Sequence, residues 1–92
     1  MKYEEEVAVY RNEINRLNEE ILEKIRERTI IALKVGEIKQ RYGKPVVDKA
    51  RERAVLNQVR ASAEAKGLNP DAIEKIFAEV IQACVEAEES QK

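Results

Sequence analysis

From Glu4 to Tyr42 the chain has no proline and a single glycine, Gly36. Along that stretch Val7, Tyr10, Ile14, Leu17, Ile21, Ile25, Ala32 and Val35 recur mostly in steps of three and four. Such steps return to one face of a helix with 3.6 residues per turn, so the pattern predicts a first helix over about 4–42. Gly43-Lys44-Pro45 stops it and opens a loop over 43–48. Asp48 is placed to cap a second helix, about 49–66, with Val55, Leu56, Val59 and Ala63 on one face. Gly67 stands where a helix-ending glycine belongs. Asn69-Pro70 reads as an N-cap followed by proline at the first helical position. The third helix then runs over about 70–89, with Ile73, Ile76, Phe77, Val80, Ile81 and Cys84 facing inward. No segment alternates with the period of a strand. The expected fold is all-α, three helices in one domain over 1–92, with the first helix far longer than the others.

That length has a consequence. At 1.5 Å per residue the first helix extends roughly 57 Å. A compact globule made from this chain would be about 32 Å across. The apolar stripe continues along the whole helix, so more of it exists than the chain itself can cover. A second copy is the simplest cover, and the expectation is an intertwined helical-bundle homodimer with the long helices side by side. The alternative is a break near Gly36, which would give a monomeric four-helix bundle.

Composition narrows the chemistry. The 92 residues include no histidine and one cysteine, which excludes Ser-His and Cys-His nucleophile pairs, imidazole metal sites and an internal disulfide. No metal or cofactor is expected. With 17 basic and 18 acidic residues the net charge is −1, so nothing points to nucleic acid. No run is long enough to span a membrane. Met1 to Tyr10 carries three glutamates and no apolar core, unlike a secretory leader, and the expected setting is cytoplasmic. Any reaction must rest on Arg, Lys, Asp and Glu.

Several of those charges sit in apolar company. At 100° per residue, Ile14, Leu17, Ile21, Ile25, Ala32 and Val35 share about 80° of arc. Arg28 and Lys39 fall inside the same arc, and Arg11 lies at its edge. In the second helix Glu52 falls between Val55 and Leu56, and in the third Glu88 follows Cys84 by one turn, beside Ile81 and Val85. A buried charge is costly and a pair offsets that cost only in part. Such groups either snorkel and pair across helices, or they line a water-poor pocket. Arginine and lysine in such a pocket suit a small ligand with more than one carboxylate. Cys84 reads as a small hydrophobe. Gly36 inside a helix costs about 1 kcal/mol against alanine, for which close approach of another helix is a sufficient reason.

The stretches Arg11-Asn-Glu-Ile14, Arg26-Glu-Arg28, Val35-Gly-Glu-Ile-Lys39 and Pro45-Val-Val-Asp48, followed by Arg51-Glu-Arg53, carry a resemblance. In this order and spacing, over nearly the whole chain, the sequence resembles the all-helical class of chorismate mutase. The resemblance implies an intertwined dimer with two identical sites and the pericyclic rearrangement of chorismate to prephenate, on the route to phenylalanine and tyrosine. It also implies roles. Arg28 would bind one substrate carboxylate, and Arg11 would reach the second from the other subunit. Lys39 would donate to the ether oxygen and touch the enolpyruvyl carboxylate. Glu52 would accept from the ring hydroxyl, with Asp48 supplying main chain nearby and Arg51 steadying Glu52. Val35, Val55, Ile81 and Val85 would form the apolar walls. Two positions depart from a common pattern of the family. Cys84 stands where some members have serine, and a thiol donates more weakly. Glu88 stands where some have glutamine, although glutamate also occurs there. A carboxylate facing growing negative charge helps only when protonated. Isochorismate pyruvate lyase looks similar, but its members lack the arginine at the Arg51 position. A non-catalytic helical dimerisation module is the remaining alternative, and the inward Arg28 and Lys39 count against it.

Overall fold

The computed structural model describes residues 2–91, and Met1 and Lys92 lie outside the description. It contains three helices, α1 (Tyr3–Arg41), α2 (Lys49–Ala65) and α3 (Pro70–Ser90), and no strand among the described residues. Each helix end lies within a residue of where periodicity and capping put it. The expected alternative of a break at Gly36 does not occur, because α1 is continuous through it. No helix among the described residues is long and apolar enough to cross a membrane. The chain divides into two compact units, Met1–Ile30 and Ile31–Lys92.

The first unit is the N-terminal stretch of α1. Glu4, Glu5 and Glu6 occupy the first turn, where negative charge complements the helix dipole. Ion pairs line the helix surface, including Arg16–Glu20 at 3.2 Å and a two-pronged Arg26–Glu23 pair at 2.7 and 3.0 Å. The Arg26 hydrogen bonds hold the Glu23 carboxyl below the usual glutamate range. Exposed pairs of this kind add little stability. The apolar stripe is exposed in the single chain, as its excess over what one chain can cover implies. Ile14, Leu17 and Ile21 are 55%, 46% and 56% exposed, and α1 has no fully buried residue.

The second unit holds the C-terminal end of α1, the loop, α2 and α3. Helix α1 ends at Gly43, whose φ of 64° lets Gly43 N–H reach the Gln40 carbonyl and Lys44 N–H reach that of Lys39. Gly67, at φ 73°, ends α2 the same way, with Leu68 N–H bonded to the Ala63 carbonyl at 2.8 Å. Helices α2 and α3 pack on one another, burying Ala63 and Cys84. Arg60 of α2 bonds Asp71 at 2.8 Å and Glu74 at 3.1 Å, and Arg53 reaches Glu74 at 3.2 Å, so charge also ties the two helices. Ile76 departs from the inward face assigned to it and is 55% exposed.

Asn69 caps α3, its side-chain oxygen accepting from Asp71 N–H at 2.9 Å and Ala72 N–H at 3.2 Å. Asn69→Ala leaves both donors without that acceptor and should cost about 1 kcal/mol. At fixed protein concentration, calorimetry should show Tm lower by about 4–8 °C. An unchanged Tm would mean that water replaces the cap at no cost.

Candidate functional site

The second unit brings Lys39 and Glu88 together. Lys39 lies in the last turn of α1 and Glu88 near the end of α3. Lys39 Nζ donates to Glu88 Oε1 at 3.4 Å and, more closely, to the Val46 carbonyl at 2.6 Å. The turn at Gly43 reverses the chain after α1, and three residues later the Val46 carbonyl meets the Lys39 ammonium. Val46 is itself buried, as is Glu88, at 6% and 7% exposure. A carboxylate this deep would be expensive alone, and the ammonium beside it is what makes its burial tolerable. Gly36 faces the Glu88 side chain directly. Between these groups lies a cleft, with Gln40 and Lys44 at its α1 end and Gln91 one turn beyond Glu88.

An ammonium has three donors. Val46 and Glu88 take one each, which leaves a third for a ligand in the cleft. The arrangement can grip an anion and donate to an oxygen on which charge is growing. The one thiol of the chain, Cys84, is buried. Among the described residues no cluster of acidic or thiol side chains could hold a metal ion.

Asp48, Arg51 and Glu52 form a second group at the start of α2. The Asp48 side chain accepts from Arg51 N–H at 3.0 Å, and its carbonyl accepts from Glu52 N–H at 2.9 Å, so Asp48 is the helix cap. Glu52 is partly buried, and Lys49 Nζ lies 3.8 Å from its carboxylate. The neighbouring cation is thus Lys49, on the same helix turn, where Arg51 was expected; Arg51 itself is exposed. Of the expected wall residues, Val55, Ile81 and Val85 are half-buried, while Val35 is 44% exposed. Arg11 and Arg28 belong to the first unit. Arg28 is half-buried. Arg11 is exposed and pairs with Glu4 at 3.0 Å, a contact too weak to hold it against a better anion.

Some of the cleft was invisible in the sequence. The Val46 carbonyl is main chain, and no side-chain pattern marks it. Lys44 carries no sequence signal of its own, because only the folded turn brings it back beside Lys39. Gln91 could have been found, since it stands one helical turn after Glu88.

The model of one protein family, chorismate mutase type II, matches residues 10–89. The chain is 35% identical over 91 residues to the bifunctional chorismate mutase/prephenate dehydratase of Aquifex aeolicus (strain VF5), covering 96% of this chain and 25% of that protein. It is 34% identical over 77 residues to the T-protein of Enterobacter agglomerans, covering 84% of this chain and 21% of the relative. Against the chorismate mutase of Methanocaldococcus jannaschii the identity is 31% over 78 residues, 85% of this chain and 79% of the other. The chain therefore spans only about a quarter or less of the two longer relatives.

Proposed function

The chain belongs to the type II chorismate mutase family, and from that premise we propose that it rearranges chorismate to prephenate in aromatic amino acid biosynthesis. The observation that carries the reading is the Lys39 ammonium, held by Val46 and Glu88 in the lining of a cleft. The reaction is a pericyclic shift, so it asks for no nucleophile, metal or cofactor. It asks for the dianion to be held with its enolpyruvyl group over the ring, which brings the reacting atoms to near-attack distance. It also asks for donors at the ether oxygen, where negative charge grows as the C–O bond breaks. Lys39 supplies that donor. Arg28 holds one carboxylate, the partner subunit's Arg11 holds the other, and Glu52 accepts from the ring hydroxyl. Asp48 fixes the start of α2, Arg51 flanks it, and Val35, Val55, Ile81, Val85 and Cys84 line the pocket.

The protein acts as a cytoplasmic homodimer in this reading. The exposed stripe of Ile14, Leu17 and Ile21 supports it, because that much regular apolar surface asks for a partner. Glu88 faces the ether oxygen beside Lys39 in this reading. Glu88→Gln keeps the shape and adds a permanent N–H donor, so kcat for chorismate should stay within about tenfold of the wild-type value, and Glu88→Ala should lose more. Equal rates in all three proteins would remove Glu88 from the chemistry.

The deciding experiment incubates the protein with chorismate, follows its loss and identifies the product. Prephenate is expected. Pyruvate released from isochorismate, with chorismate untouched, would move the assignment to the lyase. No turnover of either by folded protein would make the inward charges structural.

A further inference from the structure

We infer that Gly36 is a positioning residue, whose missing side chain lets the Glu88 carboxyl reach Lys39; the inference deepens the reading of Lys39 and Glu88 given above and rests on it. A Cβ built on Gly36 would lie 3.0 Å from Glu88 Oε1, 3.1 Å from its Cγ and 3.5 Å from its Cβ. The first two are closer than a methyl group and its neighbours normally settle. Glu88 has little room to yield, since it is only 7% exposed. Its backbone is held in α3, so the relief open to it is rotation of the side chain. Rotation moves Oε1 from its present place, 3.4 Å from Lys39 Nζ.

Helix geometry explains the placement. Gly36 precedes Lys39 by three residues, so the two positions are neighbours on one face of α1. Position 36 decides how close α3 brings its carboxylate, and position 39 supplies the charge it meets. Helix propensity argues against glycine here, because alanine suits a helix interior better. Gly43 and Gly67 owe their place to positive φ, but Gly36 does not. What Gly36 provides is space, and Glu88 occupies it.

The test is Gly36→Ala, made in the wild-type chain and in Glu88→Ala. In the wild-type chain kcat for chorismate should fall about 10- to 100-fold, the scale of a misplaced catalytic group. KM should hardly move, because the arginines that bind the carboxylates are untouched. Stability provides a readout independent of activity. With Glu88 present, the gain in helix propensity is offset by the displaced carboxyl. In the Glu88→Ala background the Cγ and Oε1 are gone, and the same substitution at position 36 should raise Tm clearly more. Equal Tm shifts in the two backgrounds would overturn the inference. So would an unchanged kcat in Gly36→Ala when the wild-type chain turns over chorismate. If the wild-type chain proves inactive, the proposed reaction fails while the Tm comparison still decides the role of Gly36.

Discussion

Replacing Lys39 with alanine is expected to lower kcat/KM for chorismate by about 10²–10³-fold, the cost of deleting one fixed donor at a developing oxyanion. The loss should fall mainly on kcat, because the ether oxygen gains its charge only as the bond breaks. Stability should fall as well. The buried Glu88 carboxylate loses its ion partner and the Val46 carbonyl loses a donor at 2.6 Å, which together should cost about 1–3 kcal/mol. Lys39→Arg should not restore the rate. A guanidinium is larger and its donors lie in one fixed plane, so it does not fit the place where the compact ammonium meets Val46 and Glu88. Steady-state kinetics on folded protein, checked by circular dichroism, decides the matter. A loss below about tenfold would mean that Lys39 serves the fold and not the reaction.

Mixing two inactive variants should recover activity. If Arg11 completes the site of the partner subunit, a dimer of one Arg11→Ala chain and one Lys39→Ala chain contains one site with both residues intact. The other site carries both defects. Random exchange makes half of the dimers mixed, and half of their sites are whole, so recovery should approach about a quarter of wild-type activity. Each variant alone should stay near background. The mixture is unfolded together, refolded and assayed, with the separately refolded variants as controls. Absence of recovery from a mixture that demonstrably exchanges subunits would place Arg11 in its own chain's site or outside the chemistry. The design tests the dimer and the shared site at once.

The helices were legible because their signals are local. The apolar steps of α1, the cap at Asp48, Gly67 at positive φ and Asn69-Pro70 each act within a few residues of themselves. Local steric and hydrogen-bonding rules suffice for such features. The charges set on apolar faces were legible for a related reason. A cation on an apolar stripe is conspicuous in a helical projection, and Lys39 and Glu88 stood out before any contact was known. Arg51 is a different case, since the resemblance and not a helical projection paired it with Glu52. It stands next to Glu52 in sequence, yet neighbours in sequence point in different directions on a helix. Lys49, three residues from Glu52, is the cation at 3.8 Å. Ile76 fails for another reason. Periodicity identifies an apolar face but cannot say how much of it a neighbour covers, and Ile76 remains 55% exposed.

By itself, then, the sequence determined three helices, their caps, the excess of apolar surface on α1 and the absence of histidine chemistry, since all of these follow from residue type and spacing. Only the tertiary structure decided that Lys39 is held by the Val46 carbonyl, that Glu88 lies against it, and that Gly36 leaves the space between them. Those contacts join residues that are distant along the chain or use main-chain atoms common to every residue. Spacing carries no information about either, because the distance between α1 and α3 depends on the packing of the folded chain.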